Sequence, residues 1–207
     1  FECAVRSAVL LKNANSLLPL SNDINTIAVI GPNADAAQSQ LGDWAGESGQ
    51  GIETGMDYPF GDITTILQGI EARAPEECKV IHEKGCDIEG TDSDNIDSAV
   101  KTASEADIAI LVLGDNVHLN GEGCDRAALN LTGLQLELFR SVCETSTPVA
   151  VVLINGKPLS IPEIKKDAGA ILELFNPGMC GGEAAAALLF GDRNPSGKLS
   201  ISFAEHV

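Results

Sequence analysis

Basic residues are scarce in this sequence: 13 Lys and Arg face 30 Asp and Glu, which gives a formal net charge of −17 at pH 7. A surface of this sign repels the phosphates of nucleic acids and the anionic headgroups of membranes, so we expect neither partner. The sequence also lacks an apolar run long enough to span a bilayer, and no signal peptide is visible. Because it begins at Phe1 without a methionine, and already in a helical pattern, we expect it to be cut from something longer.

The signatures of several cofactor chemistries are missing as well. The sequence contains neither the G-x-G-x-x-G of dinucleotide sites nor the G-x-x-x-x-G-K-[ST] of P-loops, and it has no G-x-S-x-G elbow. The six cysteines form no C-x-x-C pair and the three histidines are scattered, so we expect no metal site and no cofactor. The even number of cysteines leaves disulfides open. Carboxylate chemistry is what remains.

Apolar runs alternate with helical patterns along the whole chain. The predicted strands cover residues 26–30, 79–82, 108–113, 148–154 and 170–175, and the predicted helices cover residues 1–12, 62–74, 95–105, 133–145 and 181–190. The alternation at residues 199–203 is typical of an edge strand. This order predicts one α/β domain over residues 1–207: a doubly wound, mainly parallel sheet with helices on both faces and an edge strand near the C-terminus, an α/β sandwich.

The most informative stretch is the polar loop at 114–132, which follows the unbroken apolar strand at 108–113. At its tip, Glu122 stands between Gly121 and Gly123. One interpretation is a solvated surface turn, and the other is a carboxyl group carried on a flexible arm to a reacting bond. His118 lies four residues before Glu122 and either shares this loop as a functional group or is a solvated, hydrogen-bonded histidine.

A second long loop, at residues 33–61, is rich in glycine. It holds the single Trp and the single Tyr of the chain, Trp44 and Tyr58, with Asp43 beside the tryptophan. An aromatic face next to a carboxylate is suited to a sugar, which offers a flat apolar surface and hydroxyl groups. The alternative is that Trp44 plugs the loop onto the core.

Five motifs, in order along the chain, carry a resemblance to a known family. They are Ser-Ala-Val-Leu-Leu-Lys-Asn at 7–13, Ile-Ala-Val-Ile-Gly-Pro-Asn-Ala at 27–34, Gly-Glu-Gly-Cys-Asp-Arg at 121–126, Pro-Gly with Gly-Gly at 177–182, and Leu-Phe-Gly-Asp-Arg-Asn-Pro-Ser-Gly-Lys-Leu at 189–199. Together they resemble the C-terminal α/β sandwich domain of family 3 glycoside hydrolases. The resemblance implies a domain of a retaining, exo-acting β-glycosidase that acts from non-reducing ends, on β-linked oligosaccharides or on aryl and alkyl glycosides.

In that family the nucleophilic Asp belongs to an N-terminal barrel and the acid/base Glu belongs to the sandwich. The resemblance therefore places the acid/base role on Glu122. The barrel is absent from these residues, so we expect the chain to be inactive alone and to need the barrel of the same enzyme as its partner. The family includes secreted, periplasmic and cytoplasmic members, and a secreted or periplasmic location is favoured here.

The resemblance also suggests roles around the catalytic loop. Asp43 and Trp44 match a region that can line the leaving-group side in relatives and are expected to contact substrate there, and Asp125 and Arg126 are expected to form an ion pair that shapes the loop. His118, close to Glu122 in the sequence, is a further candidate for substrate binding. The open alternative is a non-catalytic carbohydrate-binding or interaction module on the same fold. Neither interpretation specifies the sugar, or whether the sequon at Asn130 carries a glycan.

Overall fold

A computed structural model describes residues 1–42 and 63–206 of the chain. Its strands are β1 Val9–Asn13, β2 Thr26–Ile30, β3 Lys79–Glu83, β4 Ile108–Gly114, β5 Val149–Ile154 and β6 Ala170–Phe175. Its α-helices within these ranges are α1 Glu2–Ser7, α2 Ile66–Arg73, α3 Ile96–Ser104, α4 Gln135–Cys143, α5 Pro162–Asp167 and α6 Gly181–Leu189. No helix in the described ranges combines the length and the apolar character needed to cross a membrane.

The six strands form one sheet in the order β1-β6-β5-β4-β2-β3. The pairs among β2 to β6 are all parallel, and β1 joins β6 antiparallel. Strands β4 and β5 lie in the middle and are buried along their whole length, as their unbroken apolar runs predicted. The predicted α/β sandwich with a mainly parallel sheet is confirmed.

Alternate residues of each central strand belong to different apolar clusters. Ile110 and Val112 pack with α1, α2 and α6 on one face, whereas Leu111 and Leu113 pack with α3, α4 and α5 on the other. Because successive side chains of a strand point to opposite faces, a strand covered on both sides must be apolar throughout. Helices therefore cover both faces of the sheet.

Two terminal predictions were wrong. The helix predicted at 1–12 ends at Ser7, because Ala8 has extended backbone angles, and Val9–Asn13 continues as the edge strand β1. The predicted edge strand at 199–203 is not a strand: Leu199 and Ile201 are exposed, and β1 already occupies the open side of β6. The antiparallel edge strand thus comes from the N-terminal part of the chain.

One predicted helix begins later than expected, and one helix of the structure was not predicted. Helix α2 begins at Ile66 rather than at 62, because Thr65 is its N-cap and forms a capping box with Gln68. Asp62, the first residue of the predicted helix, lies outside the described residues. The short helix α5 was missed, since its six residues bury a single apolar side chain, Ile164, and show no periodicity.

Helices α2 and α6 approach each other closely at two glycines. A Cβ added to Gly69 would lie 2.1 Å from the carbonyl oxygen of Gly182, and one added to Gly182 would lie 2.0 Å from that of Thr65. No carbon atom fits at these distances from a backbone oxygen. The absence of side chains therefore sets how tightly this helix pair covers the sheet.

We predict that Gly69→Ala destabilises the chain. Helix propensity alone would favour Ala by about 1 kcal/mol at this interior position. The clash with the Gly182 carbonyl should outweigh this gain and give a net loss of about 2 kcal/mol, as overpacking does. Urea unfolding measures the change, with Glu71→Ala on the exposed side of the same helix as the control. A stabilised Gly69→Ala would contradict the close approach.

Candidate functional site

Polar side chains gather where the parallel strands end. Asn33, Asp115 and Asn155 follow β2, β4 and β5, Glu173 lies within β6 two residues before its end, and each of the four is fully buried. Backbone and side-chain hydrogen bonds link them: Asn33 Nδ2 donates to the Asp115 carbonyl at 3.1 Å, and the Asp115 amide donates to the Ile154 carbonyl at 2.9 Å. Ligands bind to α/β sheets at this carboxyl edge, because the strand ends meet there.

The loop after β4 carries Glu122 away from this edge. Asn116 caps a single 3₁₀ turn, Val117–Leu119, by accepting from the amides of His118 and Leu119 at 3.0 and 3.2 Å. The chain then turns through Gly121 and Gly123, both with positive φ. Glu122 between them is exposed, and so is His118. Both predicted residues therefore lie on the outer side of one loop, a placement open to a substrate or to another domain.

Arg126 pins the far end of this loop to β4. Its Nη1 donates to Asp115 Oδ1 at 2.8 Å, with 14% of the arginine side chain and 0% of the aspartate side chain exposed. Its Nη2 donates to the Asn130 carbonyl. The partner of Arg126 is thus Asp115, not its exposed neighbour Asp125, which corrects the predicted pairing. Burying Asp115 among apolar strands requires a counter-charge, whereas solvent already hydrates Asp125.

Two charges oppose the effect of burial on Asp115. Burial raises the pKa of this carboxyl above its ordinary value, and the positive charges of Arg126 and Lys157 lower it. Lys157 belongs to the turn after β5, and its Nζ donates to the Cys124 carbonyl at 3.0 Å. Lys157 was not among the site residues predicted from the sequence.

Glu173 is a second buried acid, hidden in an otherwise apolar strand. Its Oε1 accepts from the Phe175 amide at 2.7 Å, and its Oε2 accepts from Asn155 Nδ2 at 3.4 Å. Burial raises its pKa to about 8, against the opposing effect of these hydrogen bonds. Burial therefore favours the neutral, protonated form of Glu173. A glutamate within a buried strand was the sequence signal for it.

The structure does not describe two of the predicted substrate-binding residues. Asp43 and Trp44 lie outside the described residues, so their expected sugar contacts stay predictions. Within residues 1–42 and 63–206, His, Cys, Asp and Glu side chains form no group that could hold a metal ion. All six cysteines lie in these ranges and are free thiols.

A mainly parallel sheet that is covered by helices on both faces, with polar loops at its carboxyl edge, defines the class of α/β sandwich domains. The particular family follows from sequence comparison, in which residues 8–207 match the model for the glycosyl hydrolase family 3 C-terminal domain. The chain belongs to this family.

Individual relatives agree with this assignment. A β-xylosidase of Formosa agariphila is 40% identical over 100% of this chain, and a periplasmic β-glucosidase of Salmonella typhimurium is 35% identical over 100% of it. The chain spans 28% of the length of each of these relatives.

Solved structures show the same fold. A β-glucosidase involved in saponin metabolism from intestinal bacteria superimposes with a TM-score of 0.88, at 33% identity over 99% of this chain and 32% of that one. The β-glucosidase of Listeria innocua in complex with isofagomine gives a TM-score of 0.86, at 30% identity over 99% of this chain and 26% of that one.

We predict that Arg126→Met costs about 3–5 kcal/mol of unfolding free energy at pH 7, because it leaves the Asp115 charge buried and unpaired. The loss should shrink at pH 4, where Asp115 can take up a proton instead. Chemical denaturation at both pH values measures it. Arg140→Met is the matched control: its ion pair with Glu163 is exposed to solvent, which screens it, so its loss should change stability much less. Equal losses for the two variants would contradict the prediction.

A second prediction concerns the pH dependence of stability at Glu173. Its pKa rises from an ordinary value of 4.5 to about 8 on folding, so the folded chain binds the extra proton between these values. The stability that the proton on Glu173 contributes is therefore fully present below pH 4.5 and is lost as the pH rises through 8. Relative to Glu173→Gln, which stays neutral, the free energy of unfolding of the parent chain should fall by a few kcal/mol across this window, at about 1.4 kcal/mol per pH unit.

Denaturation curves from pH 4 to pH 9 test this prediction. Glu144→Gln, an exposed glutamate after α4, is the control and should follow the parent chain at every pH. Parallel curves for Glu173→Gln and the parent would show that Glu173 ionises normally.

Proposed function

We propose that this chain is the acid/base-bearing C-terminal domain of a retaining, exo-acting β-glycosidase, with Glu122 as the acid/base. The observation that supports the proposal best is the position of Glu122. It stands at the tip of a strand-end loop, within the Gly-Glu-Gly-Cys-Asp-Arg motif that resembles the family's catalytic loop, on a domain of that family. The relatives named above are β-xylosidases and β-glucosidases, so a β-linked glycoside is the proposed substrate.

The proposed reaction needs two carboxyl groups about 5–5.5 Å apart. An Asp from an N-terminal barrel attacks the anomeric carbon, and Glu122 gives its proton to the departing glycosidic oxygen. Glu122, now a carboxylate, then takes a proton from the water that releases the sugar from the Asp. An exposed Glu122 suits this division of labour, because its carboxyl has to reach a sugar held on a different domain.

The proposal also covers the pairing of this chain with a barrel domain and the roles of the residues around Glu122. Residues 1–207 would be a single domain that pairs with the barrel of the same enzyme and is inactive by itself. Asp43 and Trp44 are proposed contacts to the leaving group, and His118 is a proposed contact to the substrate. Arg126, anchored on Asp115, and its neighbour Asp125 are proposed to shape the loop that carries Glu122.

We predict that Glu122→Gln in the full-length enzyme lowers kcat/KM for an alkyl glycoside by about 10²- to 10⁴-fold, the range typical of general acid catalysis. For the matching 2,4-dinitrophenyl glycoside, kcat/KM should change little, because that leaving group departs without a proton. Azide should raise kcat on the activated substrate and give a glycosyl azide product. Both xyloside and glucoside series should be assayed, and the one that the parent enzyme hydrolyses should be used.

Two comparisons complete this test. Glu105→Gln removes an exposed carboxylate before β4, at the opposite edge of the sheet, and should leave both rates unchanged. The isolated chain should hydrolyse neither substrate. Unchanged hydrolysis of the alkyl glycoside by Glu122→Gln would sink the acid/base assignment, and sugar binding by the isolated chain would then favour a carbohydrate-binding module.

A further inference from the structure

The turn after β5 touches the loop after β4 on both sides of Glu122. Two residues before Glu122, the side chain of Asn120 packs on Gly156 so closely that a Cβ there would lie 2.9 Å from Asn120 Cγ. Two residues after Glu122, the Cys124 carbonyl accepts from Lys157 Nζ at 3.0 Å. One short turn therefore meets the catalytic loop at two points that bracket its carboxylate.

This turn is itself held from the buried side of the sheet. Asn155, which is fully buried, donates from Nδ2 to the Lys157 carbonyl at 2.9 Å and to Glu173 Oε2 at 3.4 Å. Its amide donates to the Phe175 carbonyl at 3.2 Å. Contacts thus run without a break from β6, through Asn155, to Lys157 and the Cys124 carbonyl.

The bond from Lys157 is of a strong type and lies close to a fixed charge. Its half-buried ammonium is a charged donor, and charged donors form stronger hydrogen bonds than neutral ones. The same ammonium interacts electrostatically with buried Asp115, the anchor of Arg126. Lys157 is therefore held near the base of the loop as well as near its tip.

We propose that Lys157 is a positioning residue for the acid/base: its hydrogen bond to the Cys124 carbonyl holds Glu122 at the height and angle needed to protonate the leaving oxygen. This inference rests on the proposed function. The physical reason is that glycine is permissive in its backbone angles, so Gly121 and Gly123, both with positive φ, restrict the chain on either side of Glu122 less than other residues would. Arg126 anchors only the distal end of the loop, whereas Lys157 acts two residues from the carboxylate.

The test is Lys157→Met in the full-length enzyme, which keeps most of the side-chain stem and removes the donor. Because a displacement of about 1 Å can cost 10²-fold in rate, we expect kcat/KM for an alkyl glycoside to fall by about 10- to 100-fold. The matching 2,4-dinitrophenyl glycoside, which needs no acid, should lose less than about 3-fold. Azide should accelerate turnover of the activated substrate, since a misplaced base serves water poorly. Lys157→Arg should restore part of the alkyl glycoside rate.

Lys12→Met is the matched control. Lys12 Nζ also donates to backbone carbonyls, those of Lys165 and Lys166 at 2.8 and 2.9 Å, but on the helix after the turn rather than on the catalytic loop. Its loss should leave the ratio of the two rates unchanged. If Lys157→Met fails to fold, Gly156→Ala displaces Asn120 at the other contact and should show the same selective loss.

Equal losses on both substrates, or no loss on either, would overturn the role of Lys157. Glu122→Gln, run in the same assay, separates this failure from that of the proposed function. If Glu122→Gln shows the leaving-group dependence and Lys157→Met does not, only the positioning role is wrong. If Glu122→Gln shows none, the acid/base assignment falls and the positioning role falls with it.

Discussion

A carboxylate buried at the end of β4 needs a positive charge beside it, and the shape of the candidate site follows from that need. Asp115 is fully buried, and Arg126 supplies the charge from eleven residues further along the chain. Removing both ions from water costs free energy, and their attraction offsets this cost only with good geometry and further hydrogen bonds, such as the one from Arg126 to the Asn130 carbonyl. Closing the ion pair turns the intervening residues into a loop, and Glu122 lies on its outer side.

The neighbouring strands determine what else meets this loop. Because β5 lies beside β4, the turn after β5 comes up against the loop and brings Lys157 to the Cys124 carbonyl. Because β6 lies beside β5, Glu173 can support that turn through Asn155. Each contact is between residues that are distant in sequence and adjacent at the sheet edge, which is why the order of strands matters more here than any single motif.

The physics of burial explains which parts of this architecture are readable from the sequence. Strands β4 and β5 are covered on both faces, so their unbroken apolar runs predicted buried central strands correctly. The alternation of strands with helices then predicted the mainly parallel sheet. The edge of the sheet beside β6 could not be predicted in this way. Residues 1–12 have apolar positions at helical spacing, and only pairing with β6 draws Val9–Asn13 into a strand. Leu199 and Ile201 remain exposed, because β1 occupies the position beside β6 that this segment would have taken.

The site divides along the same line. Glu122 could be singled out as a candidate from the sequence, because it lies between two glycines within a local motif. Arg126 was matched with the wrong aspartate, because its true partner, Asp115, is close to it only once the loop folds back. The anchors set the limits of motion as well. Asn120 and Cys124 are both held by the turn after β5, so the freedom conferred by Gly121 and Gly123 is confined to the three residues between those points. A short arm fixed at both ends keeps the position of its carboxylate defined, as the proposed acid/base role of Glu122 requires, because that group would have to meet the leaving oxygen first and a water molecule afterwards.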